Sequence, residues 1–135
     1  MKKVIFGVIV LIVLGVTLTF SGFYFMTYSN GSRTGELIKF SNKGFVFKTW
    51  EGELSQGISG SNIFAFSVED SDQEVVQKLT ELQGRYVRVQ YKERYKTFPW
   101  WGDTKYFITE VTEENSPFFR QKEAEISEDV MPTIE

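Results

Sequence analysis

The hydrophobic pattern splits the chain into two unlike parts. From Val4 to Met26 no charge interrupts 23 positions dominated by Val, Ile, Leu and Phe, whereas beyond Tyr28 apolar and polar residues alternate in short runs. Wound as a helix at about 1.5 Å per residue, the first part reaches about 34 Å, enough to cross a hydrocarbon core about 30 Å thick. The expectation is an uncleaved transmembrane anchor over residues 1–27. A secretory leader also opens with basic residues, here Lys2 and Lys3, ahead of an apolar run. This run is longer than the usual leader core of about 7–15 residues, no A-x-A-like site follows it, and no cysteine offers a lipidation point. Thr19, Ser21 and Gly22 are the small residues on which cleavage would rest.

Phe20, Phe23, Tyr24, Phe25 and Tyr28 crowd the far end of the run, where aromatic rings favour the membrane interface. Lys2 and Lys3 are the basic residues on the near side and Arg33 is the first beyond the span. The positive-inside tendency therefore predicts a single-pass protein of the cell (inner) membrane, with a cytoplasmic N-terminus and an extracytoplasmic C-terminal domain.

Residues 28–114 read as one small β-rich domain. Ser29-Asn30-Gly31-Ser32 has the composition of a turn-prone linker. Strands are expected over Thr34–Ser41 and Phe45–Leu54, joined at Asn42-Lys43-Gly44 as an antiparallel hairpin. The Gly- and Ser-rich stretch Ser55–Asn62 reads as a loop, and Phe64, Phe66 and Val68 share one face of a third strand, Ile63–Val68. Ser71 and Glu74 have capping-box spacing, and Val75, Leu79 and Leu82 recur at helical intervals before Gly84, predicting a helix over Asp72–Gln83. Val87, Val89 and Tyr91 alternate with polar neighbours in a fourth strand; Lys105–Thr112 forms a fifth, with Tyr106, Phe107 and Ile108 breaking the alternation. The resulting order, β-β-β-α-β-β, matches a small OB-like five-stranded barrel, all β with one helix, although a half-open SH3-like barrel or a helix-capped twisted sheet gives a similar string. Residues 115–135 are acidic and aperiodic apart from Pro117-Phe118-Phe119, and Glu123–Glu135 is expected to be disordered.

Charge and composition narrow the chemistry. The net charge of −3 comes from 15 basic and 18 acidic residues, and the acids gather late: seven follow Thr112, against Arg120 and Lys122. The middle of the chain is neutral, which argues against nucleic-acid binding, where basic residues must outnumber acidic ones. The chain has neither cysteine nor histidine, which removes disulfides, thiolate and imidazole metal sites, and every catalytic arrangement built on Cys or His. No cofactor or metal is expected.

Two segments are dense in glycine, aromatics and paired charges. One runs from Gly31 through Arg33, Gly35, Lys39, Ser41, Lys43 and Gly44 to Lys48-Thr49-Trp50-Glu51-Gly52-Glu53-Leu54; the other is Phe98-Pro99-Trp100-Trp101-Gly102-Asp103-Thr104-Lys105-Tyr106-Phe107. Over Gly31–Phe107 the chain resembles a family of small single-span bacterial membrane proteins with a G-x-R-x-G…K-x-S-x-K-G…K-T-x-E-G-E-L stretch. Its members are of unknown function, so the resemblance implies a fold and a location but no reaction. Some similar sequences carry a 6-phosphogluconate dehydrogenase label. This chain does not support it, having no G-x-G-x-x-G after a strand and no room for a dinucleotide domain.

Arg33, Lys39, Lys43 and Lys48 lie on or beside the first hairpin, where they would gather around an anionic group; Glu36, Glu51 and Glu53 offer the plainer outcome of cross-strand pairing. The Phe98, Trp100, Trp101 and Asp103 loop joins strands four and five, a position OB folds use to grip ligands. Adjacent tryptophans cannot both point inward from an extended segment, so one is expected at the surface or on a partner. A plug closing the barrel end and a foot on the membrane interface are the plainer alternatives. Ser41 with Lys43 or Lys48 has the composition of the Ser/Lys nucleophile of type I signal peptidases, but a lysine base must be desolvated, and these lie among charges. Haem chaperones of cytochrome maturation are also anchored OB domains, yet they attach haem through a histidine, which this chain lacks.

The reading that follows is a non-catalytic, membrane-anchored binding or assembly module. Its partners would be the bilayer, through Val4–Met26, and a protein, lipid or glycan at the hairpin and tryptophan loop. A hydrolase using Ser41 and a lysine, or the carboxylates Glu51, Glu53 and Asp103, and a structural accessory subunit of a membrane complex are the alternatives.

Overall fold

A computed structural model describes residues 1–57 and 62–129. Helix α1 (Lys2–Phe25) is unbroken, with a mean hydropathy of 2.7 over an 18-residue window of which 0% is buried in protein. A helix apolar on every side belongs in a protein core or in lipid. The length and apolar composition of α1 support a membrane anchor. Thr17 and Thr19 turn their hydroxyls back to the carbonyls of Val13 and Gly15, each at 2.8 Å, satisfying both donors inside the helix as hydrocarbon surroundings require.

Strand β1 (Thr27–Lys43) follows after the single residue Met26. It pairs antiparallel with β4 (Tyr86–Arg94) over Thr27–Glu36 and with β2 (Thr49–Ser55) over Glu36–Lys43. The handover coincides with a register shift between Leu37 and Lys39. Such a bulge bends the strand and sharpens its twist, which lets one 17-residue strand serve two neighbours. β2 pairs with β3 (Ile63–Val68), β3 meets β5 (Tyr106–Glu113) in parallel at Ser67 and Phe107, and β5 pairs with β4. The five strands close into a ring in the order β1-β2-β3-β5-β4, with the last two exchanged relative to the chain.

Leu37, Leu54, Phe66, Val87, Val89 and Ile108 fill the ring. Helix α2 (Gln73–Glu81) adds Val75, Val76 and Leu79 to the same core, and burying a side chain such as Leu79 contributes about 1.5–3 kcal/mol. After α2, Gly84 at φ +79° lets the chain reverse; its amide donates to the Leu37 carbonyl at 2.7 Å, and the Leu37 amide donates to Arg85 at 2.9 Å. These two bonds fasten the end of α2 to the bulge in β1.

Several elements depart from the pattern-based expectation. Ser29–Ser32 is not a linker: it lies within β1, registered against Glu93–Gln90, because backbone pairing with β4 outweighs a polar composition. Phe45–Lys48 is not strand. Gly44 adopts φ +137°, with the Phe47 carbonyl 1.9 Å from where a Cβ would stand, so the chain turns over Gly44–Lys48 and pairing with β1 resumes only at Thr49, opposite Lys43. The Ser71–Glu74 capping box is not formed: Asp72 is the N-cap, without a side-chain cap bond. The tail expected to be disordered carries helix α3 (Pro117–Asp129), favoured by proline in the first turn and by its Gln, Lys, Glu and Ala content; Ser116 Oγ accepts the Phe118 amide at 3.3 Å. Part of the expected Ser55–Asn62 loop, and the tail beyond Asp129, lie outside the described residues.

Candidate functional site

The run Tyr106-Phe107-Ile108, which breaks the alternation of β5, marks a second buried layer outside the ring. Ile108 points into the core, while Phe107, 1% exposed, lies beneath Arg94. Arg94 closes β4 and is itself only 5% exposed. Its Nη1 donates to the Tyr24 carbonyl in the last turn of α1 at 2.8 Å, and its Nη2 pairs with the Glu69 carboxylate just after β3. The guanidinium is boxed by Tyr24, Trp101 and Phe107, with ring centroids 4.8–5.1 Å away. A helix end leaves its final carbonyls without partners. Arg94 supplies one, and the ion pair with Glu69 and the ring faces compensate the burial of its charge.

The loop from Tyr95 to Lys105 packs along the same helix. Phe98 stacks on Phe20 at 5.5 Å, Tyr95 on Phe23 at 6.3 Å, and Trp101 meets Tyr24 edge-on at 5.0 Å. The two tryptophans sit in a turn, not an extended segment, closed by the Trp101 amide donating to the Phe98 carbonyl at 2.9 Å; Trp101 is half-buried against Tyr24 and Arg94, and Trp100 is 47% exposed.

The returning leg of the loop is held by Glu51. This carboxylate, 6% exposed, accepts from Thr49 Oγ1 at 2.8 Å, Ser67 Oγ at 2.6 Å and the Asp103 amide at 2.9 Å. The neighbouring Thr104 amide donates to Ser67 Oγ at 3.1 Å. Gly102 is required by this approach, since a Cβ there would stand 2.5 Å from Ser67 Oγ. Glu51 is thus a satisfied structural acceptor.

Beside it, Lys39, Ser41, Lys43, Glu53, Asp103 and Thr104 line a shallow cleft of about 210 Å³ on the outer face of β1 and β2. Lys43 pairs with Asp103 at 3.2 Å, both more than half exposed. The cleft brings together Lys39, Lys43, Glu51 and Asp103, and it excludes Arg33 and Lys48. Arg33 sits toward the far end of β2, donating to Gln56 at 3.0 Å and lying 4.6 Å over the Phe64 ring. Lys48 is exposed just before β2 begins, so a strand of about 20 Å separates the two.

A larger cleft of about 440 Å³ is lined by Glu36, Arg85, Tyr86, Glu113 and Phe118 among others. Arg85 donates to Glu113 at 2.7 Å, and that carboxylate raises the guanidinium's pKa above its ordinary value. The residues that pattern reading passed over are Arg94 and Glu69. The available signal was a helix running into a strand with no polar cap of its own, which calls for a basic donor from elsewhere.

Residues 26–118 match the family model of a domain of unknown function (DUF8785), and the chain belongs to that family. No curated protein and no solved structure matches it.

Proposed function

We propose, taking the chain as a member of that family, that it is a non-catalytic binding or assembly module whose α1 anchors an OB-like barrel on the extracytoplasmic side of the cell membrane. The ring order β1-β2-β3-β5-β4, with a helix between β3 and β4, supports the OB-like reading. Lys2 and Lys3 ahead of the span support the orientation. A C-terminal reporter active only in the cytoplasm would reverse it.

One observation carries the reading: the cleft holding Lys39, Ser41, Glu53 and Asp103 adjoins a loop clamped onto the anchor. A surface of mixed charge is thereby presented at a fixed place beside the bilayer, which suits recognition of a partner at the membrane surface. Photo-crosslinking from positions 39 and 41 in intact cells tests it. A discrete protein or glycan adduct is expected; capture of lipid alone, under several growth conditions, removes the proposal.

Ser41 and Lys43 share the cleft, and this favours the Ser/Lys hydrolase as the second reading. Lys43 is exposed and paired with Asp103, the reverse of the desolvated setting in which lysine serves as a base. Ser41→Ala with an unchanged phenotype at normal protein level would eliminate the hydrolase. Copurification in mild detergent as a fixed-stoichiometry complex would favour the accessory-subunit alternative.

A further inference from the structure

The loop between β1 and β2 carries Phe45, Val46 and Phe47 at its tip, exposed by 101%, 77% and 52%. Three consecutive apolar side chains left in water gain nothing from folding and favour an apolar surface outside the domain, and they are bracketed by exposed lysines, Lys43 and Lys48. The tip is joined to the anchor by a continuous chain of rings. Phe47 meets Trp100 at 6.1 Å, Trp100 stacks on Phe98 at 4.9 Å, and Phe98 stacks on Phe20 of α1 at 5.5 Å. Phe20 lies about 7 Å before the end of α1 at Phe25, below the level at which the apolar helix ends.

We infer that the Phe45–Phe47 tip is a second membrane contact, inserted into the headgroup–acyl boundary of the bilayer that α1 spans. The occupant of this apolar surface is lipid because the surface continues the aromatic end of a lipid-spanning helix. Apolar tip residues flanked by Lys43 and Lys48 also match the apolar-inside, cation-at-the-headgroups arrangement of interfacial segments. The domain would therefore rest on the membrane at two points, α1 and the tip, with the β1–β2 cleft facing along the surface. This inference stands on the loop geometry and does not depend on what the cleft binds.

The chain contains no cysteine, so Val46→Cys provides a single labelling site in the full-length protein, and Gln77→Cys on the exposed side of α2 provides the control. Each would carry an environment-sensitive fluorophore, with the protein reconstituted in phosphatidylcholine–phosphatidylglycerol vesicles. At position 46 we expect blue-shifted emission, quenching by spin-labelled acyl chains consistent with a depth of about 5–10 Å, and aqueous iodide quenching several-fold below that at position 77. Equal iodide access at both positions overturns the inference. Iodide access in vesicles combined with protection in native membranes also overturns it, assigning the tip to a protein. Phe45→Ser, which touches no core contact, should reduce the protection at position 46 while the domain stays folded by circular dichroism; unchanged protection would count against insertion.

Discussion

Two loops at the same end of the ring are both aromatic, yet only one is built into the structure. In the β4–β5 loop, Phe98 and Trp101 lie on α1, Arg94 bonds the Tyr24 carbonyl, and Glu51 holds the Asp103 amide. In the β1–β2 loop, Phe45 and Val46 stand open and Phe47, half exposed, meets the edge of Trp100. Composition alone does not separate them. What differs is the supply of polar anchors: the first loop has a buried guanidinium at one leg and a buried carboxylate at the other, and the second has a glycine turn and exposed lysines. The first is part of the fold, and the second is available to something outside it.

Removing the anchors should move the two loops toward each other in behaviour, with effects that fall in a definite order. Arg94→Met leaves the Glu69 carboxylate with Lys92 alone, 3.4 Å away, and frees the Tyr24 carbonyl; unfolding in detergent micelles should show a loss of about 3–4 kcal/mol. A change below 1 kcal/mol, as an order of magnitude, would mean that Arg94 behaves as a surface charge. Trp101→Ala removes the ring shared by Tyr24 and Arg94 and should cost about 3 kcal/mol, with hydrogen-exchange protection lost around Tyr95–Lys105 and retained in α2. Glu51→Gln keeps the shape but turns an amide group toward donors, so a loss of about 1–2 kcal/mol is expected; the readout is faster amide exchange at Asp103 and Thr104. Phe45→Ser should stay within about 0.5 kcal/mol of the parent protein, and a larger loss would show that the open tip is packed after all.

The sequence made some of this plain and concealed the rest, for identifiable reasons. The span follows from an uninterrupted apolar run, and the strand Ile63–Val68 from Phe64, Phe66 and Val68 recurring at every second position. Ser29–Ser32 hid a strand because its partner, β4, lies far along the chain and pairs through backbone groups that no side-chain pattern reports. Phe45–Phe47 mimicked a strand because consecutive apolar residues signal burial, and the pattern alone does not show that the fold leaves these three exposed. The cleft at Lys39, Lys43, Glu51 and Asp103 was legible as a set of charged residues near a hairpin, but the separation of Arg33 and Lys48 from it was not. Arg94 and Glu69 were silent, since their roles depend on a helix carbonyl and a strand end brought together only by ring closure.

Met26 is the only residue between the end of α1 and the start of β1. A domain on a long tether sweeps a hemisphere and can meet soluble molecules at a distance; this one has no slack, and its search is confined to the plane in which its anchor drifts. On the proposed reading, a partner must come down to that plane, and any torque applied to the domain is delivered directly to the rod beneath it.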